Sequence, residues 1–228
     1  MFKARARCSL EVIERERCEN RMDGSFVLSE TDQPLPEVHV IRHGETAWTE
    51  SRRHTGLTDI PLTERGERQA RRFGEHLRDH KYGQVFTSPL QRARRTCELA
   101  GFGAGAVVDP DLVEWNYGEY DGLTSTEILQ RRPGWQLFRD GCPAGESVAE
   151  VGARADRVIS RVRGFDRNVL LFSSGHFLRV LAARWLGLDP SGGRLFLLST
   201  TTLGILGYEH NKSEAVLRLW NDNRPGLD

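Results

Sequence analysis

The sequence predicts an α/β fold, a three-layer sandwich with a mostly parallel central sheet, helices on both faces and an antiparallel edge. Short apolar runs alternate with amphipathic stretches at helical spacing, the order that produces a parallel sheet covered by helices. The last two apolar runs, 201–208 and 215–220, are separated only by a short polar turn, which favours an antiparallel pair.

Four apolar runs predict the parallel strands. They are Val38–Arg42, Val85–Thr87, Ala106–Asp109 and Val169–Ser173. The last is apolar without alternation, which is typical of a strand buried on both faces. Because ligands bind beyond the carboxyl ends of parallel strands, the polar residues that follow these runs mark the expected site.

Helices are predicted between the strands. A helix over Thr63–His80 would place Ala70, Phe73 and Leu77 on one face, and a second should end near Ala100. Capping signals are expected at Ser88 with Pro89 and Gln91, at Thr124 with Glu127, and at Ser147 with Glu150. Behind the third signal, residues 148–162 carry one apolar stripe, and 177–186 is apolar almost all round, as in a buried helix.

The 228 residues fit one domain with an appendage. Residues 1–36 differ in composition from the rest, with a charge-dense stretch at 11–17 that favours a short surface helix and with a proline-containing end. We expect them to form an N-terminal extension that is poorly ordered or peripherally docked. Residues 37–228 are expected to form the catalytic domain.

Composition argues against several classes of partner. Lys and Arg total 32, as do Asp and Glu, so nothing indicates a nucleic acid or an anionic membrane. No apolar run reaches the roughly 20 residues that cross a bilayer, and no signal-peptide core is present, so a cytoplasmic protein is expected. The four cysteines have neither zinc-ligand spacing nor a disulfide-framework pattern, and no metal is expected.

The segment Arg42-His43-Gly44-Glu45-Thr46 follows the first predicted strand. Arg42 offers a planar charged fork that fits phosphate oxygens, and glycine lets the backbone approach closely. His43 would be a largely neutral nucleophile at physiological pH. The alternative is a strand end with His43 as an ordinary loop residue, and the downstream segments favour the functional interpretation.

Three further segments are expected on the same edge of the sheet. They are 88–96 (SPLQRARRT), 114–118 (EWNYG) and 173–179 (SSGHFLR). Together with Arg42–Thr46, Trp48, Gly56, Asp59 and the stretch 61–66, they resemble the histidine phosphatase superfamily, which contains cofactor-dependent phosphoglycerate mutases and fructose-2,6-bisphosphate phosphatases. The resemblance runs from about Val38 to the C-terminus.

The resemblance implies a role for each matching residue. His43 would be the nucleophile that becomes transiently phosphorylated, Arg42 and Arg92 would hold the phosphoryl oxygens, and Glu114 would protonate the leaving oxygen. Phosphoryl transfer depends mostly on positioning and positive charge, which this set supplies. Arg92 as a surface cation and Glu114 as a loop carboxylate are the alternatives.

The chain departs from the family pattern at Ser174, where relatives usually carry a second catalytic histidine before the glycine. His176 lies two residues later. Either His176 points into the site and replaces the missing imidazole, or the site has lost part of its transition-state stabilisation, on the order of 3–4 kcal/mol for one donor. Ser174 could still donate to a phosphoryl oxygen. Thr49 stands where relatives often have Asn.

The sequence therefore predicts a metal-independent phosphatase, without cofactor, that hydrolyses a small phosphomonoester such as a sugar phosphate through a phosphohistidine. Specificity is expected from Arg53, His54 and Thr55 and from the loop 111–145. A phosphoglycerate mutase is the alternative, disfavoured because 114–122 leads straight into a capped helix without a long insert. A weakly active or non-catalytic phospho-ligand-binding member is the other alternative, and the last strands would permit a homodimer.

Overall fold

Six strands form one sheet in the computed structural model, which describes residues 34–223. The strands are β1 (Val38–Arg42), β2 (Gln84–Thr87), β3 (Ala106–Val108), β4 (Val169–Ser173), β5 (Leu203–Tyr208) and β6 (Ala215–Asp222). Their order is β3-β2-β4-β1-β5-β6, with β1 to β4 parallel and the β5–β6 hairpin antiparallel. The predicted α/β class and its antiparallel edge are confirmed.

Seven α-helices connect and cover these strands in the described part of the chain. They are α1 (Ala47–Glu50), α2 (Glu64–Leu77), α3 (Gln91–Leu99), α4 (Ser125–Arg131), α5 (Leu137–Asp140), α6 (Val148–Val162) and α7 (Gly175–Trp185). Thr63 caps α2, and the predicted capping boxes open α4 at Thr124 and α6 at Ser147.

Side chains of the central strands point alternately to the two faces of the sheet and so divide the core into two layers. Val40 and Leu171 face one layer, where they pack with residues of α6 and α7. Ile41 and Phe172 face the other, with residues of α2 and α3. Since successive side chains of a strand point to opposite faces, this division is the direct result of burying both sides of the sheet.

The predicted start of α3, with Ser88 as N-cap and Pro89 as the first helical residue, is wrong by two residues. Ser88 does not cap the helix; its hydroxyl accepts a hydrogen bond from the Leu90 N–H, and the helix begins at Gln91. The Gln91 N–H instead donates to the carboxylate of Asp59 over 2.8 Å. An acceptor from another segment therefore takes the place of the local cap.

The prediction for residues 1–36 falls mostly on residues 1–33, which lie outside the described residues. No helix in 34–223 is both long enough and apolar enough to cross a membrane.

Candidate active site

The ends of three parallel strands bring the predicted segments together. Arg42 at the end of β1 pairs with Ser173 at the end of β4, and the His43 N–H donates to the Ser173 carbonyl oxygen over 3.0 Å. On the other side of β4, the Ser88 N–H donates to the Phe172 carbonyl oxygen over 2.9 Å. The chains that follow β1, β2 and β4 consequently leave the sheet at one edge.

His43 is buried, with 2% of its surface exposed, and its ring is held in one orientation. Nδ1 lies 2.8 Å from the carbonyl oxygen of Gly44, to which it donates. Burial lowers the pKa of His43 well below its ordinary value of 6.5, and the charges of Arg92 and Arg42 lower it further. The imidazole is therefore neutral at physiological pH, with its lone pair on Nε2.

Two arginines flank this histidine. Arg42 donates through Nη1 to the Leu198 carbonyl oxygen over 2.6 Å. Arg92 is fully buried and donates to the carbonyl oxygens of Thr55, Gly56 and Thr58. Burial lowers the pKa of both guanidinium groups, but arginine keeps its proton at any physiological pH.

Buried polar atoms without a hydrogen-bond partner concentrate around His43. Within residues 34–223 they are Arg42 Nε, Arg92 Nε, Ser174 Oγ, Thr201 Oγ1 and Gln69 Oε1. The backbone of Thr201 contacts this region, since its N–H donates to the carbonyl oxygens of Arg42 and His43. Leaving such groups unpaired is costly, so the free Nε atoms of Arg42 and Arg92, whose charges act on His43, are typical of a place where a polar ligand completes the bonding.

Glu114 is 5% exposed, and its carboxylate caps the first turn of α7. Its oxygens accept from the N–H groups of His176 (3.0 Å), Phe177 (2.8 Å) and its neighbour Trp115 (2.9 Å). This contact explains why α7 begins at Gly175, two residues before the predicted start.

Arg154 on α6 holds the loop that carries Glu114. It donates to the carbonyl oxygens of Asp111, Val113 and Glu114 and forms an ion pair with Glu146 at 2.8 Å. Sequence reasoning missed this residue, because an arginine on the apolar stripe of α6 gives no local sign of its partners.

An aromatic cluster forms one wall of the site. The hydroxyl of Tyr117 lies 2.5 Å from Nδ1 of His176, whose ring is stacked on that of His54 and also contacts Phe138. Burial lowers the pKa of His176 well below 6.5, and nearby Arg179 lowers it further. Burial likewise raises the pKa of the Tyr117 phenol well above its usual value. Both groups are therefore neutral at physiological pH.

The three predicted polar contacts lie in different surroundings. Ser174 is fully buried at the start of α7. Thr49 exchanges hydrogen bonds with the backbone of Thr46, forming the cap of α1. Thr55 is nearly buried, with its hydroxyl 3.3 Å from the Arg53 carbonyl oxygen.

These elements enclose a cavity of about 290 Å³. It is lined by Arg42, His43, Thr49, Arg52, Arg53, His54, Thr55, Glu114, Tyr117, Ser125 and His176. Six of the eight predicted site residues are among them; Arg92 and Ser174 are not, since both are fully buried. A larger cavity of about 800 Å³ lies by Phe138 and Pro190 and has neither His43 nor Glu114 in its wall.

Sequence reasoning did not single out Arg52 and Ser125 as cavity residues. Ser125 reaches the cavity because the chain at 53–54 pairs with 122–124: Arg53 forms a β-bridge with Thr124, and the Gly122 N–H donates to the His54 carbonyl oxygen. Nothing in the local sequence predicts a pairing between segments about seventy residues apart.

Metal-ligating side chains meet elsewhere in the described part of the chain. Glu209, His210 and Glu214, in the turn between β5 and β6, bring their donor atoms within 4.8 Å of one another. They are largely exposed and do not line the cavity that contains His43.

Residues 38–223 match the model of the histidine phosphatase superfamily, branch 1. The chain belongs to this family, and the predicted membership is confirmed. The matched residues include all six strands and the segments that line the cavity.

Two curated relatives are phosphatases. An acid phosphatase of Mycobacterium tuberculosis is 40% identical over 191 residues, which span 82% of this chain and 94% of the relative. A sedoheptulose 1,7-bisphosphatase of Saccharomyces cerevisiae is 37% identical over 185 residues, spanning 67% of this chain and 68% of the relative.

Among solved structures, a mycobacterial glucosyl-3-phosphoglycerate phosphatase superposes with a TM-score of 0.72 at 26% identity, covering 82% of this chain and 99% of its own. The predicted activity, a phosphoric monoester hydrolase of the histidine phosphatase type, is confirmed at this level by the family and its relatives.

Proposed function

We propose that this protein hydrolyses a small sugar phosphate through a phosphohistidine formed on Nε2 of His43. The observation that carries the proposal is the state of that imidazole: neutral, buried, tied through Nδ1 to the Gly44 carbonyl oxygen and flanked by Arg42 and Arg92. A histidine in this state presents a lone pair beside two permanent positive charges, which is what attack on a phosphoryl group requires.

In the first step Nε2 of His43 attacks phosphorus, the bond from phosphorus to the ester oxygen breaks, and Glu114 gives its proton to the departing oxygen. In the second step a water oxygen attacks phosphorus and the phosphorus–nitrogen bond breaks. Glu114 then takes a proton from that water, which restores both residues and releases inorganic phosphate. Arg42 and Arg92 compensate the charge on the phosphoryl oxygens throughout.

His176 is proposed to supply the imidazole donor that the chain lacks at position 174. Because the Tyr117 phenol keeps its proton, we assign the hydrogen bond between them as Tyr117 O–H donating to Nδ1. The proton of neutral His176 is then on Nε2, where it can be donated to a phosphoryl oxygen. This interaction contributes a hydrogen bond rather than a second positive charge. Ser174 Oγ, Thr49 and Thr55 are proposed as further polar contacts.

A sugar phosphate is the substrate class that the relatives and the cavity favour together. The yeast relative is named for a sugar bisphosphate and the mycobacterial one for a glucosyl phosphoglycerate. The cavity, about 290 Å³, is at the small end of the range for ligand sites and suits a compact metabolite. A cytoplasmic location, the absence of a nucleic-acid partner and a homodimeric state stay predictions.

The test is hydrolysis of an aryl phosphate in excess EDTA by the full chain, followed by trapping of the phosphoprotein under alkaline conditions. We expect activity that resists EDTA, together with an alkali-stable, acid-labile phosphate on the protein. Both should disappear in His43→Ala and persist in His76→Ala, which removes an exposed histidine that does not line this cavity. Acid-labile phosphate retained in His43→Ala would overturn the assignment.

The same experiment separates the alternatives. A non-catalytic binding protein would bind phosphate without forming phosphohistidine, and Ser174→His would then be expected to restore turnover. A mutase would pass the phosphoryl group to a second hydroxyl of an added phosphoglycerate rather than to water.

A further inference from the structure

Arg52 adopts a backbone conformation that its side chain makes costly. It follows α1 with φ of +56°, in the left-handed region that favours glycine or asparagine. A residue with a long side chain held there costs on the order of 1–3 kcal/mol, and such residues cluster at functional sites. Ala144, Thr201 and Asn221 also have positive φ, so the strain directs attention to Arg52 and the surroundings of its side chain decide its role.

The guanidinium group of Arg52 has no ion-pair or hydrogen-bond partner within residues 34–223, although it lines the cavity. The adjacent Arg53 provides a direct contrast. It pairs with Glu127 at 3.3 Å and donates to the Gly122 carbonyl oxygen over 2.6 Å. Of the two neighbours, Arg53 is engaged in holding the fold, whereas Arg52 is free to bind a ligand.

The charge of the cavity wall is unbalanced. Three arginines line it, at positions 42, 52 and 53, against the single carboxylate of Glu114, and the histidines have lowered pKa values that keep them neutral. Arg42 lies beside buried His43, while Arg52 is exposed at the rim. Arg42 and Arg92 would compensate the charge of a single phosphoryl group at His43. The charge of Arg52 would then have no anionic group of the substrate beside it.

We infer that Arg52 binds a second anionic group, a phosphate or a carboxylate, at the end of the substrate away from the scissile phosphoryl group. This inference rests on the proposed function and deepens it: the preferred substrates are doubly anionic, such as sugar bisphosphates or phosphorylated sugar acids, rather than simple monophosphates. Guanidinium groups suit both anions because their planar fork matches two oxygens at once.

The test compares the wild type with Arg52→Gly and Arg52→Lys on paired substrates. Fructose 1,6-bisphosphate is compared with fructose 6-phosphate for a second phosphate, and 3-phosphoglycerate with glycerol 3-phosphate for a carboxylate. An aryl phosphate reports the basal activity. Arg94→Ala, which removes an exposed arginine outside this cavity, is the matched control for net charge.

Arg52→Gly should raise KM for the preferred doubly anionic substrate by about tenfold or more, the usual effect of losing a hydrogen bond to a charged group. Its kcat/KM on the aryl phosphate, which has no second anion, should fall by a clearly smaller factor, and its melting temperature should stay equal or rise, since glycine relieves the strain. Arg52→Lys should recover part of the loss, and Arg94→Ala should resemble the wild type. The substrate pair in which Arg52→Gly raises KM identifies the second anion as a phosphate or a carboxylate.

Two outcomes would overturn the inference. One is a wild type with no preference for doubly anionic substrates, and the other is a preference that survives in Arg52→Gly. Failure of the proposed function is recognised separately, because it would appear as aryl phosphatase activity that persists in His43→Ala. Calorimetric binding of fructose 1,6-bisphosphate or 3-phosphoglycerate to His43→Ala, with and without Arg52→Gly, measures the same interaction without turnover.

Discussion

The carboxylate of Glu114 accepts a hydrogen bond from the backbone N–H of Phe177 over 2.8 Å, although 63 residues separate them along the chain. This contact joins the loop after β3 to the first turn of α7. It places the proposed proton donor at a helix N-terminus beside the cavity. The orientation of the carboxyl group is therefore set by backbone that the helix itself holds rigid.

Replacing Glu114 with Gln should lower kcat for an alkyl phosphate by about 10²- to 10⁴-fold, the usual contribution of general acid–base catalysis. A nitrophenyl phosphate should be much less affected in its first step, because its leaving group departs without a proton. Steady-state kinetics on both substrates measure the difference. Glu119→Gln, which alters an exposed carboxylate five residues away, is the control. Equal losses of kcat/KM, which reports the first step without the later hydrolysis of the phosphohistidine, would contradict a role in leaving-group protonation.

The acid limb of the pH profile should lie well below pH 6.5. Burial and the charges of Arg92 and Arg42 lower the pKa of His43, so the nucleophile stays unprotonated in mild acid. Removing one of these charges in Arg92→Met should raise that pKa and move the acid limb to higher pH, while Arg92→Lys should move it less. The measurement is kcat/KM on an aryl phosphate against pH, with NMR titration of the His43 ring as an independent readout. An unmoved titration in the folded Arg92→Met variant would count against this electrostatic account.

His176→Ala should reduce kcat by about 10²- to 10³-fold if the ring donates to the phosphoryl group in the transition state. His176→Gln should retain more activity, because its amide can place a donor near the position of Nε2. Tyr117→Phe should have a smaller effect, since it removes the partner of Nδ1 and leaves the imidazole in place. Identical kinetics for the Ala and Gln variants would indicate packing rather than hydrogen bonding.

The strand ends could be predicted from sequence because they combine apolar runs with distinctive polar residues, as Val38–Arg42 and His43 do. The N-termini of α3 and α7 could not be predicted from sequence, because the carboxylates that cap them belong to Asp59 and Glu114 in distant segments. Local propensity carries no information about such partners. Arg52 escaped prediction for a related reason: its importance lies in its positive φ and in the absence of a described partner, and both are properties of the folded chain.

The free energy of unfolding should depend on pH because His43 stays unprotonated in the folded state at a pH where the unfolded chain binds a proton. The pKa of His43 is lowered in the folded state, whereas in the unfolded chain it titrates near 6.5, so the unfolded state binds more protons as the pH falls. The free energy of unfolding should then decrease below about pH 6.5, with a slope of up to about 1.4 kcal/mol per pH unit from one such group. Urea unfolding between pH 7.5 and 5.5 should show a steeper fall for the wild type than for His43→Ala. Parallel curves would argue against a strongly lowered pKa.

Gly66→Ala should destabilise the protein, although helix propensity alone predicts the opposite. Gly66 lies in the first turn of α2, where alanine would normally be favoured by about 1 kcal/mol. A Cβ there would lie 2.3 Å from the carbonyl oxygen of Glu45 and 2.8 Å from its nitrogen, and backbone atoms cannot give way as a flexible side chain can. Overpacking of this kind costs about 1–3 kcal/mol.

Because the displaced backbone belongs to the loop that carries His43, Gly66→Ala should also lower phosphatase activity. Urea unfolding and aryl phosphate hydrolysis measure the two effects. Gly105→Ala is the matched control, since a Cβ at Gly105 meets nothing within 4 Å and the variant should be as stable and as active as the wild type. A Gly66→Ala protein that is more stable than the wild type would show that the loop can move aside. It would also show that the close approach of α2 does not position His43.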